Sequence, residues 1–231
     1  MKIMGLYVLG DTHLSIGKDK PMDIFGEVWK NHTQKLEEGF SELRDDDLTV
    51  LCGDISWGMG IEDCLADFQF IDHLPGRKII LKGNHDYWWT TASKAYKFFQ
   101  LHGITTIDIL NNNSYLYDKI SLCGTRGWFY EEEKNGAHDK KIMQREILRL
   151  KTSLESAADN QKLVFLHYPP IYMNYECREI LELLKEYNVR LCCYGHLHGK
   201  SMKNSFNGWY DGTEFKLVSA DYINFKPIRI L

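Results

Sequence analysis

Six short apolar runs rich in β-branched residues punctuate the chain: IMGLYVLG, LTVLCG, KIILKG, ISLCG, KLVFLH and VRLCCYG. Each is short and of strand length. Between them lie segments of helical period. Phe25, Val28, Trp29, His32, Leu36, Phe40 and Leu43 mark one apolar face; Met143, Ile147, Leu150, Leu154 and Ala157 mark another. A helix is expected from about Thr91 to His102, stopped by Gly103, and a further one after Asn174 as N-cap, carrying Ile180, Leu181, Leu184 and Tyr187. Strands alternating with helices predict an α/β fold, parallel in its first half. The stretch after Gly199 is richer in strand and turn signals, so the sheet is expected to be mixed, with one or two final strands in KLVSADYINFKPIRIL.

The chain has 231 residues, 44% of them apolar and 26% charged, which suits a soluble globular protein. No repeat, low-complexity stretch or linker divides it, and one domain over residues 1–231 is expected. A net charge of −4, from 28 basic and 32 acidic residues, argues against a dedicated nucleic-acid binder without excluding a local basic groove. No apolar run has the length of a membrane span, and the opening MKIMGLYVLGDTHLS turns polar too soon for a signal peptide. The six cysteines (Cys52, Cys64, Cys123, Cys177, Cys192, Cys193) show no CxxC spacing, and four lie in the strand-like runs. A reduced, cytoplasmic protein is the expectation.

The residues just past the strands carry the functional signal. The first run ends in Asp11-Thr-His13, the second in Gly53-Asp54, the third in Gly83-Asn84-His85-Asp86, a later one in His167, and another in His196-Leu-His198. Loops at the carboxyl ends of parallel strands share one crevice. Asp11 and His13 are two apart, as are His196 and His198, so in extended chain each pair points to one side. A lone aspartate after a strand is commonly a turn former, and lone histidines such as His32, His73, His102 and His138 are read as surface or satisfied core residues. Five of nine histidines at strand ends, with two aspartates and an asparagine, are not explained that way.

Imidazoles and carboxylates without thiolate favour Zn, Mn, Fe or Ni. Seven candidate ligands (Asp11, His13, Asp54, Asn84, His167, His196 and His198) are too many for one tetrahedral ion and suit two ions if a carboxylate bridges them. Two divalent ions set against two aspartates and one bridging hydroxide leave the site net positive, which attracts a phosphoryl anion.

The ordered blocks DTH, GD, GNHD, HYPP and GHLH, from Asp11 to His198, resemble the calcineurin-like metallophosphoesterase superfamily. The resemblance implies two mixed sheets packed as a sandwich flanked by helices, with a dimetal site at the carboxyl ends of the strands. By matching position, Asp11, His13, Asp54 and His198 would hold one ion, and Asp54 would bridge to a second completed by Asn84, His167 and His196. The ions would be Mn, Fe or Zn. His85 would face the leaving-group oxygen with Asp86 orienting it, and a metal-bridging hydroxide would attack a phosphomonoester or phosphodiester of a small molecule. The alternatives are a metal-binding scaffold on the same fold, or a nuclease of the superfamily. Two departures stand out. In GDISWG, Trp57 occupies the place where many members carry Asp or Asn, and the Arg expected of protein phosphatases is absent. Three further features have two readings each. Tyr87, Trp88 and Trp89 either pack a helix start or form a wall that stacks on a base or aryl group. Arg126, in CGTRGWF, is either an ion-pair partner or a phosphate-binding guanidinium. HYPP is read as a rigid turn that aims His167.

Overall fold

The structure, a computed structural model, describes residues 4–18, 20–129 and 137–231, with backbone alone at Ala137 and His138. All six runs form strands. In the first sheet β1 (Leu6–Leu9), β2 (Leu48–Leu51), β3 (Arg77–Ile80) and β4 (Ile107–Ile109) are parallel neighbours in that order. The second sheet contains β5 (Ser114–Tyr117), β6 (Ile120–Thr125), β7 (Gln161–Leu166), β10 (Val189–Tyr194), β11 (Gly208–Tyr210) and β12 (Thr213–Leu217). Its strands β6, β7, β10 and β12 run parallel, and β5 and β11 close its edges antiparallel. A hairpin of β8 (Ile171–Tyr172) and β9 (Tyr175–Glu176) stands apart, and β13 (Ile228–Arg229) returns antiparallel to β1.

Alternation along each strand builds the layers. Val8, Val50 and Ile79 of the first sheet pack with Leu163, Phe165, Leu191 and Cys193 of the second, forming the core between the sheets. The intervening Leu9, Leu51 and Ile80 face outward onto α1 (His32–Phe40), α2 (Leu65–His73) and α3 (Ala92–Leu101) through Leu36, Phe40, Phe68 and Phe99. Val164, Leu166, Cys192 and Tyr194 face the other way onto α4 (Ala137–Glu155) and α5 (Arg178–Glu186). Burial on both faces explains why the runs read as nearly continuous apolar sequence. The expected sandwich of two mixed sheets flanked by helices is what the chain forms. All six cysteines are buried and free. No helix among the described residues is long and apolar enough to cross a membrane.

Two expected helices differ. The face from Phe25 to Leu43 is not one helix: short 3-10 turns cover Met22–Phe25 and Glu27–Trp29, and α1 starts only at His32. Gly26 (φ 127°) and Asn31 (φ 53°) lie outside helical conformation and break the path. Asn174 is not an N-cap, because Met173 (φ 53°) turns the chain into the β8–β9 hairpin and α5 begins after Cys177.

Candidate metal centre

The seven candidate ligands meet at one end of the sandwich, delivered from both sheets: Asp11 and His13 beyond β1, Asp54 beyond β2, Asn84 beyond β3, His167 beyond β7, and His196 and His198 beyond β10. The chain there is not extended as the two-residue spacings suggest. Asp11 (φ 60°), His13 (φ 45°), Asp54 (φ 50°) and His196 (φ 71°) all adopt left-handed conformations, a cost that clusters at functional sites. Tight approach of the loops fixes two glycines. A Cβ at Gly83 would collide with the Asp54 carboxylate and backbone, and one at Gly195 with the Asp11 carboxylate. This is the physical content of Gly in GNHD and GHLH.

The donors form two groups. In the first, Nε2 of His13 and Nε2 of His198 face each other at 3.3 Å, with Oδ1 of Asp11 3.6 Å from Nε2 of His198. In the second, Oδ1 of Asn84 lies 2.6 Å from Nε2 of His167 and 2.9 Å from Nδ1 of His196, and the two ring nitrogens are 3.3 Å apart. Between the groups, Oδ2 of Asp54 is 3.7 Å from Nε2 of His13 and 3.5 Å from Nε2 of His167. Bonds of about 2.1 Å to a common ion put neighbouring donors roughly 3.0 Å apart in an octahedral shell and 3.4 Å in a tetrahedral one. The nitrogen pairs match that spacing, so the residues fit divalent ions on chemistry and on distance.

Neighbouring groups aim the rings. Nδ1 of His167 sits 3.0 Å from the Cys52 carbonyl, and Nδ1 of His198 sits 2.8 Å from Oδ1 of Asp221. Each contact favours the proton on Nδ1 and aims Nε2 at the ion position; on His198, where Asp11 and Asp221 favour the charged ring, an ion would displace the Nε2 proton. Nδ1 of His13 is buried with no hydrogen-bond partner among the described residues. Asp221 escaped the sequence reading. It closes the run KLVSAD, so an aspartate just beyond a strand was the available signal.

The electrostatics call for positive charge. Burial and the nearby Asp11 carboxylate push the Asp54 carboxyl up. Burial also works to raise Asp11, but the hydrogen bond and charge of His198 outweigh it and hold Asp11 well below the carboxylate range. Burial and the charge of His198 drive His13 well below the usual imidazole value; burial and His167 lower His196 in the same way.

His85 lies outside both groups. Its backbone N–H donates to Oδ1 of Asp54 at 2.7 Å, its ring packs 4.4 Å from Trp57, and Nδ1 is 3.4 Å from the Tyr87 hydroxyl. Burial and His167 lower its pKa to about 4. Asp86 is not hydrogen-bonded to the His85 ring, contrary to expectation. Its fully buried carboxylate accepts from the N–H of Ile55 (2.8 Å), Ser56 (3.3 Å) and Gly83 (2.7 Å) and from Nε1 of Trp88 (2.9 Å). It laces the Asp54 loop to the Asn84 loop. Burial and the Asp54 charge push its pKa up to about 6.

The aromatics divide. Trp88, 3% exposed, packs edge-on to Phe68 and cannot act as a wall for a ligand. Trp89 packs against the same core, whereas Tyr87 is exposed beside His85. Trp57, in the place of the expected Asp or Asn, stacks on His13 (5.0 Å, 23°). Arg126 pairs with the buried Glu146 at 3.2 Å and lines a separate pocket with Lys82 and Arg149, away from the seven donors. Its backbone carbonyl accepts from His167 and Tyr168. Of the other histidines, His32 packs on Trp29 and Phe225, His73 meets the Gln69 carbonyl, and His102 packs on Phe98. The side chain of His138 lies outside the described residues.

Solved structures of similar fold include phosphopantetheinyl hydrolase (PptH) from Mycobacterium tuberculosis, 14% identical with a TM-score of 0.62 over 99% of this chain and 96% of that one. Protein AQ665 from Aquifex aeolicus, of unknown function, is 18% identical with a TM-score of 0.53 over 98% and 95%. TT1561 of Thermus thermophilus is 15% identical with a TM-score of 0.52 over 86% and 84%. These likenesses speak to the fold. No curated protein sequence matches the chain. Residues 4–200 match the family described as calcineurin-like phosphoesterase, and with that span the chain belongs to this family.

Proposed function

We propose that the chain is a dimetal-dependent phosphoesterase acting on phosphomonoesters or phosphodiesters of small molecules. One observation carries this: a single oxygen of Asp54 stands between a His13/His198 group and an Asn84/His167/His196 group. A carboxylate so placed can be shared by two ions. Asp11, His13, Asp54 and His198 would hold one ion, and Asp54, Asn84, His167 and His196 the other. Bound Mn, Fe or Zn would supply Lewis acidity to the phosphoryl oxygens and acidify the attacking water.

The chain's own residues do the rest. Asp221 and the Cys52 carbonyl hold the rings of His198 and His167 in register. Asp86 keeps the two ligand loops at fixed separation. His85, beside both groups but in neither, would hydrogen-bond the leaving-group oxygen, or protonate it where the substrate's negative charge raises a ring pKa that is otherwise lowered to about 4. The name of the Mycobacterium relative makes phosphopantetheinyl esters worth including among test substrates. The test is turnover on aryl and alkyl phosphate mono- and diesters before and after EDTA, then with Mn²⁺ restored. Loss and recovery of turnover is expected. A chain that hydrolyses none of these esters with Mn²⁺, Fe²⁺ or Zn²⁺ is not this enzyme.

A further inference from the structure

Beside the metal centre the surface opens into a cleft of about 280 Å³, small by the standard of ligand sites. Its inner end is formed by His13, His85 and His198, and its walls by Met22, Phe25, Val28 and Trp57. Phe25 is 57% and Val28 40% exposed, although the sequence pattern marks both as apolar-face residues. The break at Gly26 and Asn31 turns them away from the core and onto this rim. The Phe25 and Trp57 rings are nearly parallel (9°, 6.5 Å between centroids), and the Lys20 ammonium, 3.0 Å from the Trp57 ring centroid, fixes the indole plane.

We infer that this cleft is the leaving-group subsite and that it selects phosphoesters whose alcohol carries a compact, ring-sized apolar group. The inference rests on the phosphoesterase reading and adds the substrate class. Two arguments carry it. The first is continuity: His85 lines both the metal centre and the cleft, so a group bonded to the leaving oxygen beside His85 extends between Phe25, Val28 and Trp57. The second is the scarcity of uncommitted polar partners: the Lys20 ammonium sits over the Trp57 ring, and Asp221, which also lines the cleft, is taken by His198 and the Gly199 N–H. Nδ1 of His198 is taken by Asp221, and the Trp57 N–H is directed at Sδ of Met22. His13 and the other nitrogen of His198 face the metal group. A sugar or polyol placed here would lose hydration with few partners to replace it, whereas an apolar ring covers the exposed Phe25 and Val28.

The test compares 2-phenylethyl, ethyl and glycerol phosphates, and their methyl diesters, as substrates of the Mn²⁺-loaded chain. The phenylethyl and ethyl oxygens leave as alkoxides of similar basicity, so leaving-group acidity does not create that contrast; the hydroxyls of glycerol make its alkoxide the better leaving group, so a glycerol phosphate no faster than ethyl is the stricter outcome. The expected result is a kcat/KM for the phenylethyl ester higher than for the ethyl ester by about tenfold or more, with glycerol phosphate no better than ethyl. Phe25→Ala and Val28→Ser should move the phenylethyl-to-ethyl ratio toward one. Equal kcat/KM for all three, a preference for glycerol phosphate, or a preference that survives both substitutions would overturn the subsite. Calorimetric binding of 2-phenylethylphosphonate against ethylphosphonate reads the same subsite without turnover. Tighter phenylethyl binding in a chain that hydrolyses nothing would uphold the cleft and sink the catalytic proposal. Equal binding in an active chain would do the reverse.

Discussion

Asp86 offers the sharpest test of how the centre is held. Its carboxylate, with no exposed surface, accepts four hydrogen bonds: three at Oδ1 from Ile55, Ser56 and the Trp88 indole, and one at Oδ2 from Gly83. Asp86→Ala strands four buried donors. At roughly 1 kcal/mol each, the low end of the cost of an unsatisfied buried group, the loss is about 4 kcal/mol. That is a large share of a typical folding free energy of about 5–15 kcal/mol. Asp86→Asn can keep its oxygen toward Ile55, Ser56 and Trp88 but turns an NH2 on the Gly83 N–H; relief of the buried charge and of its repulsion with Asp54 offsets part of that cost, so a loss no greater than about 2 kcal/mol is expected. Urea unfolding of EDTA-stripped wild type and variants measures this, provided the m-values agree. Turnover on an activated aryl ester and an alkyl ester, measured in parallel, should fall together in both variants, because the ligand loops move apart. If Asp86→Ala stayed within about 0.5 kcal/mol of wild type, below the size expected of any one of these bonds, and slowed only the alkyl ester, Asp86 would be serving the His85 ring and the reasoning would fail.

Three further outcomes come from the geometry. His85→Ala should retain its metals while alkyl-ester turnover drops roughly 10²–10⁴-fold and aryl-ester turnover far less, as steady-state kinetics beside metal analysis will show. Asp221→Ala frees the His198 ring and should weaken metal binding about 10–100-fold in a competition titration with a chelating dye. Lys78, fully buried, donates to the Leu74 and Gly76 carbonyls at 2.6 and 2.7 Å, so Lys78→Met should destabilise by about 2–4 kcal/mol in urea. Burial lowers the Lys78 pKa from 10.5 to about 8, so the penalty on its charged form is complete below pH 8 and relieved as pH rises toward 10.5. The stability gap between wild type and Lys78→Met should therefore widen over that interval, and a constant gap would contradict the assignment.

The layered fold was legible because both faces of the central strands are buried, so their composition is dictated by packing alone. The strand-end motifs were legible for the opposite reason: Asp, Asn and His at those ends serve no packing purpose. What escaped depended on tertiary context. The helical period from Phe25 to Leu43 describes a core face in one half and a cleft rim in the other, and only the backbone at Gly26 and Asn31 separates them. Helix α2 was not foreseen, since its buried face includes Asp67, which is satisfied from a distance by the Ile16 N–H and the Ser56 hydroxyl. Sequence alone leaves Trp88 a site-wall reading beside the core one, because the partner of its one polar atom, Asp86 two residues back, is visible only in the fold. Asp221 lay 23 residues beyond His198, in a strand end with no histidine to mark it.

Whether two ions sit close enough to share Asp54 is the claim on which the rest depends, and electron paramagnetic resonance of the Mn²⁺-loaded chain reads that pairing. Two Mn²⁺ ions joined by one carboxylate within about 4 Å couple by exchange, giving a multiline spectrum unlike that of isolated ions. The account predicts that coupled spectrum in wild type at two ions per chain. A spectrum of uncoupled Mn²⁺ at full loading would contradict it.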